Sequence, residues 1–257
     1  MNRLIIITLG VFSTLNVFAQ GPPITTETPI MLGLEGNGIR TFGKFISKEN
    51  ANIYVQPMAI PYNITSKFQI GGIFPFKFIT PKGAETTGGF ADMTVFAKYQ
   101  LYKKDGKAKT FRILGMVKQT FPTGKTSSSP AIGSGLYQTY VGLVIGKLTA
   151  KKGLYADFGY NMTNKDSSDN FLYNFSLGVP LLPHKYPQKQ LNTFLEFNGN
   201  YVFDSKVHTV FISPGFQFIP GRRILFEISL QIPIVQNNST TNKTNYMVLL
   251  GTRFLIN

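Results

Sequence analysis

Apolar and polar side chains alternate along much of the chain, most regularly in the segment GRRILFEISLQIPIV from Gly221 to Val235. Every second position from 224 to 234 is Ile, Leu or Phe, whereas positions 223, 227, 229 and 231 are Arg, Glu, Ser and Gln. In an α-helix these two sets would spread around the whole circumference, but in a β-strand they fall on opposite faces. The segment is therefore predicted to be a strand with one apolar and one polar face.

The same alternation recurs in most of the chain. It is clear in residues 67–79, 91–102, 111–121, 154–162, 171–181, 193–203 and 246–256, and weaker in 39–47, 52–64, 136–149 and 207–219. Together these segments predict about twelve strands of roughly ten to fourteen residues, a length that suits tilted strands crossing a bilayer. Strands of soluble proteins are most often about five or six residues long.

The connections between these segments form two sets. If both termini lie in the periplasm, the connections at the opposite end are the longer ones, and they are rich in Gly, Ser, Thr and Asn: 80–89, 123–135, 164–169 and 236–245. Long polar loops of this kind are typical of the extracellular side. The pattern predicts an all-β fold, a transmembrane antiparallel up-and-down β-barrel of about 12 strands.

The apolar face has two alternative placements. In a soluble calyx or sandwich it would face inward, but twelve long strands enclose more volume than side chains fill. The polar faces also carry fewer charged residues than a solvated exterior usually does, since charged residues make up only 15% of the chain. The balance favours apolar side chains toward lipid and a polar, wet lumen, with the soluble barrel as the alternative.

In the membrane orientation, the charged side chains on the polar faces line the lumen, because a charge facing lipid near the midplane is costly. These candidate lumen-lining residues are Lys67, Lys77, Asp92, Lys98, Arg112, Lys118, Asp157, Glu196, Arg223, Glu227 and Arg253. One interpretation is that they pair across neighbouring strands and hold the barrel in register. The other is that the basic excess lines a passage for anionic or polar solutes.

The first residues have the composition of an export signal. Arg3 precedes an apolar run from Leu4 to Phe12, and Val17 and Ala19 are the small residues of a cleavage site. Residues 1–19 are therefore predicted to be a signal peptide and residues 20–257 one outer-membrane barrel domain. The apolar run is too short for a membrane anchor. The chain has no cysteine, so no disulfide is expected.

Composition gives little support to other function classes. The net charge is +14, but the basic residues are scattered, which argues against nucleic-acid binding. FPTGKT lacks the earlier glycine of a phosphate-binding loop, and two histidines, His184 and His208, are too few for a multi-histidine metal site. No cofactor, metal or catalytic residue is predicted. A lipid-hydrolysing barrel that uses His208 with Ser205 or Ser213 remains an alternative.

Several short motifs carry a family resemblance from about Gly88 to the C-terminus. GGFADMTVFAKYQLY, FPTGK followed by GSG, LYADFGYNMT, and SPGFQFIP followed by LFEISLQIPI resemble the outer-membrane barrel family labelled "putative MetA-pathway of phenol degradation". The FAQ region and the Asn-rich loops also resemble exported proteins of Bacteroidetes-type bacteria. The chain departs from the pattern in having no Trp for interfacial girdles and in ending at Asn257, with Phe254 the nearest aromatic residue.

The resemblance implies a barrel in the bacterial outer membrane that handles small organic compounds. We therefore expect a channel or transporter for small solutes, aromatic or anionic, with outer-membrane lipid as its surroundings. The alternative is a non-transporting barrel with a binding, structural or lipid-hydrolysing role. The long extracellular loops either fold inward and constrict the pore or stay in solvent.

Overall fold

The structure is a computed structural model that describes residues 21–164, 169–182, 189–238 and 243–256. The predicted signal peptide, residues 1–19, and His184 lie outside the described residues. These described residues form thirteen strands: β1 Gly38–Lys48, β2 Ala51–Thr65, β3 Phe68–Pro81, β4 Thr87–Phe90, β5 Thr94–Gly106, β6 Lys109–Thr120, β7 Gln138–Thr149, β8 Gly153–Thr163, β9 Asn170–Pro180, β10 Gln190–Val202, β11 Val207–Ile219, β12 Ile224–Gln236 and β13 Thr244–Leu255.

Twelve of these strands form a closed antiparallel barrel. Neighbours in sequence pair in turn, and the ring closes where β1 pairs with β13, with Gly38 opposite Leu255 and Phe45 opposite Val248. Closure gives every wall strand a partner on both sides, which a sheet in lipid requires because no water satisfies a free edge. The prediction of an all-β barrel of about 12 strands is confirmed.

The thirteenth strand, β4, is an addition to the barrel wall that the alternation did not predict. The first half of β3 pairs with β5, from Phe68 opposite Tyr99 to Ile73 opposite Thr94. Its second half pairs with β4, where Gly88 lies opposite Phe78. The Phe78 ring lies where a side chain at position 88 would lie. Because Gly88 has no side chain, β4 can lie close to the second half of β3 and pair with its edge.

The two faces of the wall differ as the alternation predicts. Outward side chains are large, apolar and exposed, as in Leu250 at 58% and Ile234 at 53%, whereas the inward Glu196 and Gln217 have no exposed surface. Apolar area toward lipid avoids the cost of burying polar groups in hydrocarbon. The polar side chains are left to fill the lumen.

The connections at the two ends of the barrel differ in length. Gly38 and Leu255 share one end with two-residue turns such as Ser66–Lys67 and with the longer connection 181–189, whereas the two longest connections, 82–93 and 121–137, lie at the other end. By the usual arrangement of such barrels, the short turns are periplasmic and the long loops extracellular. In the described part of the chain, no helix is long and apolar enough to cross a membrane.

Candidate functional site in the barrel lumen

Residues 21–31, which we call the lumenal segment, precede β1 and lie inside the barrel. Ile24 is 1% exposed and Thr26 3%. The segment, GPPITTETPIM, forms no strand, and its prolines lack the N–H that a ladder needs. Most of the backbone hydrogen bonds described for the segment are made with side chains of the wall, and those side chains make the site.

Glu196 on β10 is the main acceptor for the lumenal segment. Its carboxylate accepts from the backbone N–H groups of Ile24, at 2.8 Å, Thr25, at 3.1 and 3.2 Å, and Thr26, at 2.7 Å. The hydroxyls of Thr25 and Thr26 each donate to the same carboxylate at 2.6 Å. A fully buried carboxylate needs such compensation, and five donors from three consecutive residues supply it.

Glu27 binds two lysines of the wall. Its carboxylate lies 2.7 Å from Lys98 Nζ on β5 and 2.8 Å from Lys118 Nζ on β6, and its backbone N–H donates to Asp157 on β8 at 2.7 Å. Burial alone would raise the pKa of the Glu27 carboxyl, but the charges and hydrogen bonds of Lys118 and Lys98 outweigh it and hold the pKa well below its ordinary value. Glu27 is therefore an anion at neutral pH.

A third group binds the backbone carbonyls of the segment. Glu227 on β12 pairs with Arg40 on β1 at 2.6 Å and with Arg253 on β13 at 2.9 Å. The Arg40 guanidinium also donates to the Ile24 carbonyl, and that of Arg253 to the Pro23 carbonyl at 2.6 Å. One buried carboxylate thus fixes two guanidinium groups that both reach the segment.

Apolar side chains of the segment occupy two clusters in the lumen. Ile24 packs in a buried cluster with Leu148, Tyr155, Phe194 and Leu249. The second cluster, around Met31, consists of Leu114, Met116, Tyr140 and Val144, with Leu172 packed against it. These contacts fill space that the polar side chains leave. The lumenal segment is bound through both its polar and its apolar groups.

The charges around the lumenal segment balance. Four carboxylates, those of Glu27, Asp157, Glu196 and Glu227, lie among four cations, those of Lys98, Lys118, Arg40 and Arg253. Since Glu27 belongs to the segment and the other seven belong to the wall, removal of the segment leaves the wall with one more positive than negative charge. The occupied lumen is neutral here and the empty one is basic.

A second inward-folded segment lies at the extracellular end, in residues 121–137, which we call the mouth loop. The Asp92 carboxylate accepts from the backbone N–H groups of Gly124, at 2.9 Å, and Ser134, at 2.6 Å. Ile132 is 1% exposed and packs against Ala51 and Ile79 of the wall. The loop therefore folds inward, which was one of the two alternatives that the sequence left open.

Comparison with known proteins identifies the family. Residues 45–247 match the family described as "Putative MetA-pathway of phenol degradation". The chain belongs to this family. Among curated proteins, no relative matches the chain.

Solved structures similar to this family member are outer-membrane barrels. An outer membrane channel from Pseudomonas putida F1 is 13% identical, with a TM-score of 0.69, over 91% of this chain and 100% of that chain. The KdgM porin in complex with disordered oligogalacturonate is 7% identical, with a TM-score of 0.52, over 84% of this chain and 98% of that chain. At these identities the similarity establishes the fold, that of an outer-membrane β-barrel.

The predicted lumen residues of this family member occupy several places in the structure. Six lie around the lumenal segment: Lys98, Lys118, Asp157, Glu196, Glu227 and Arg253. Lys77 donates to the Ile132 carbonyl of the mouth loop at 3.1 Å, and Asp92 holds the same loop. Arg112 lies near the periplasmic end, 3.8 Å from Asp105.

Lys67 and Arg223 differ from the rest, because the structure places both in exposed periplasmic turns and not in the lumen. Each lies one residue before its strand, β3 or β12. The inward and outward alternation extends only as far as the paired strand, so parity no longer fixes the direction of these side chains. Arg223 also does not pair with Glu227 in any described contact, since Arg40 and Arg253 bind that carboxylate.

Two residues of the site were missed by the sequence reasoning, Glu27 and Arg40. Glu27 stands in a segment without alternation, and Arg40 in a weakly patterned strand. A signal was present for the segment: three prolines in eleven residues, with a single acidic side chain, between a cleavage site and the first strand. Three prolines exclude a wall strand there, and the Glu27 carboxylate would need a cation as partner if the segment were buried.

The lipid-hydrolase alternative finds no catalytic pair in the described residues. His208 binds the Tyr173 hydroxyl at 2.8 Å, with its ring against Tyr201. Ser213 is fully buried and donates to Asn198, which also binds the lumenal segment. Because His208 shares the parity of the outward Tyr201 in their ladder and Ser213 that of the inward Glu196, the two side chains lie on opposite faces of the wall.

Proposed function

We propose that this barrel passes small solutes across the bacterial outer membrane and that the lumenal segment is its closure. The observation that carries the proposal is how the segment is held. Its polar contacts come from side chains that line a lumen, and the wall strands already satisfy one another without it. A non-covalent occupant of this kind can leave while the barrel remains closed and paired.

The charge of the lumen supports solutes that carry a negative charge. Lys44 and Lys77 face the lumen on β1 and β3, and the register places both opposite Val55 of β2, at one level on the extracellular side of Arg40. Together with the cations around Glu27 they give an open lumen a basic lining. Fixed charges of one sign favour solutes of the opposite sign in a narrow pore.

The family description supports aromatic compounds as solutes, since it refers to phenol degradation. Aromatic side chains also lie beside the cations of the lumen. Lys98 Nζ lies 5.6 Å from the centre of the Phe96 ring, and Lys118 Nζ 5.4 Å from that of Tyr140. Such walls contact the flat faces of a ring while the lysines contact a charge.

Planar bilayers test passage directly. We expect the full mature chain to give small or intermittent single-channel currents, and a variant without residues 21–31 to give larger, steady and anion-selective ones. The larger current follows from the freed cross-section, and the selectivity from the loss of Glu27. No current from the deletion variant, once it is folded and inserted, would contradict the proposal.

We also propose that residues 1–19 are removed on export, which places the lumenal segment at the mature N-terminus. Gly21, the first described residue, is buried, and the Gln217 side chain occupies the place that a Cβ would take there. Gln217 also donates to the Pro22 carbonyl at 2.7 Å. Mass spectrometry of the membrane form checks the cleavage. A chain that retains residues 1–19 would contradict it.

A further inference from the structure

The lumenal segment presents the wall with two chemical groups at a fixed spacing. The Glu27 carboxylate lies on Lys98 and Lys118, and the Met31 side chain, four residues later, lies in the apolar cluster on the same side of the barrel. Both sets of partners belong to strands of the wall and not to the segment. The wall therefore has a site for a molecule that joins a carboxylate to an apolar body.

The polar half of this site is a pair of ammonium groups held by neighbouring strands. Lys98 on β5 lies opposite Met116 of β6, and Lys118, two residues further along β6, lies opposite Phe96 of β5. The Lys98 side chain is only 9% exposed and that of Lys118 27%. Two cations, one buried and one partly exposed, that converge within 2.8 Å of one carboxylate form an anion site, and without that carboxylate they lose their nearest negative charge.

The apolar half adjoins the lysines on the same strands. Leu114 and Met116 precede Lys118 on β6 at alternate, inward positions, and Val144 and Tyr140 of β7 lie opposite Leu114 and Lys118. All four side chains are buried together with Met31. A body of several carbon atoms attached to the bound carboxylate would meet this surface and displace Met31 from it.

The hydroxyl of Tyr140 is a second, independent observation at this site. Its side chain is 95% buried, since 5% of its surface is exposed, yet its hydroxyl has no hydrogen-bond partner among the described residues. A buried hydroxyl without a partner is costly. Its ring centre lies 5.4 Å from Lys118 Nζ and its hydroxyl lies over Gly142 and Gly159 of the wall, so an occupant of the lysine site would lie against this side chain.

From this geometry we propose that Lys98 and Lys118, with the apolar wall of Leu114, Met116, Tyr140 and Val144, bind a small organic carboxylate with an aromatic or aliphatic body. Glu27 and Met31 occupy that site as a tethered competitor in the closed state. The proposal names the solute class of the passage proposed above and rests on it. Binding of such an anion takes the place of the contacts that hold residues 27–31.

The tether sets the strength of the competition. A group attached by a short flexible chain acts at an effective concentration on the order of millimolar, so a free carboxylate must exceed or outbind it. Removal of the Glu27 charge should therefore strengthen binding of the free anion without any change in the wall. Loss of the lysines should abolish it.

Calorimetric titration of the full-length mature protein in detergent with sodium benzoate tests the site. We expect Glu27→Gln to bind benzoate at least about tenfold more tightly than the wild type, because the tethered anion is gone. In the Glu27→Gln background, Lys98→Gln with Lys118→Gln should weaken binding by at least about tenfold. Lys103→Gln is the matched control, because it removes an exposed lysine that pairs with Asp105 at the periplasmic end of β5.

Phenol, which has a similar ring and no charge at pH 7, separates the carboxylate from the body. We expect phenol to bind all variants weakly and equally. Any of three results overturns the site. They are equal benzoate affinity in the wild type and Glu27→Gln, phenol binding as tight as that of benzoate, and no saturable benzoate binding in either protein. The comparison of wild type with Glu27→Gln stands even if the double lysine variant fails to fold.

This titration and the bilayer experiment fail separately. If the deletion of residues 21–31 conducts but benzoate does not bind, passage stands and the carboxylate site falls. If benzoate binds as expected but the deletion does not conduct, the site stands and passage falls.

Discussion

The lumenal segment and the mouth loop both fold into the barrel, but they are held by different chemistry. The lumenal segment makes charged contacts with side chains from β1, β5, β6, β8, β10 and β13, and the Glu196 side chain among them is fully buried. The mouth loop is held by one carboxylate, that of Asp92, by Lys77 and by the buried side chain of Ile132. It also makes neutral hydrogen bonds to residues outside the loop, namely Thr87, Met93 and Asn164.

This difference indicates which closure is the higher barrier. Charged hydrogen bonds contribute more each than neutral ones, and a buried ion that loses its partner is strongly destabilising. The lumenal segment should therefore open rarely and respond to anions and acid, whereas the mouth loop should open more often and respond to changes in packing. The following variants test that order, from the largest expected effect to the smallest.

Glu196→Ala should have the largest effect. It removes the acceptor for five donors of residues 24–26 and leaves those donors buried. We expect the docked state to lose about 3–5 kcal/mol, which raises the open fraction by more than about a hundredfold. Single-channel open probability measures the change. Asn200→Ala, four residues along the same inward face, is the control and should leave the current as in the wild type.

Acid should weaken the lumenal segment next. Because Lys118 and Lys98 hold the pKa of Glu27 below its ordinary value of 4.5, docking gains stability from ionised Glu27 above pH 4.5 and loses it as the pH falls below that value. We expect conductance to rise as the pH falls below 4.5. The difference between wild type and Glu27→Gln isolates this carboxylate. An identical acid response in both would contradict the assignment.

Asp92→Ala should release the mouth loop and leave the lumenal segment in place. The loop loses two charge-assisted hydrogen bonds, and we expect a cost of about 1.5–3 kcal/mol. Limited trypsin digestion after Lys125, which is exposed in the loop, should become faster, while bilayer conductance changes little. A conductance increase as large as that of Glu196→Ala would show that the loop is the main barrier.

Ile132→Val should have the smallest effect. It removes one buried methylene where the loop packs against Ala51 and Ile79, at a cost of about 0.5–1.5 kcal/mol. We expect a slight rise in the rate of digestion at Lys125 and no change in conductance. If Ile132→Val exposes the loop more than Asp92→Ala does, packing and not the carboxylate holds the mouth loop.

The wall of the barrel was predictable from sequence because its rule is local. β12 has an apolar residue at each even position from Ile224 to Ile234, and that alternation alone decides both strand and face. In β2 the same rule is weaker, since Pro57 and Pro61 interrupt the pattern. β4 was not predicted, because four residues with two glycines carry no alternation.

The interior was less predictable because its contacts are distant in sequence. Parity placed Glu196, Lys98 and Lys118 toward the lumen, but it could not show what they bind. Glu196 meets Ile24 across 172 positions of the chain, and Lys118 meets Glu27 across 91. The lumenal segment has no alternating pattern, and the sequences of the strands around it do not indicate which segment they bind.

The position of the lumenal segment ahead of β1 has a consequence for assembly. The ring is completed only when β13, the last strand, pairs with β1. Before β13 pairs with β1, β10 and β12, which carry Glu196 and Glu227, do not yet belong to a closed barrel. A stretch synthesised before every strand of the barrel is therefore among the last to find its complete set of partners, and the order of synthesis is nearly the reverse of the order of docking.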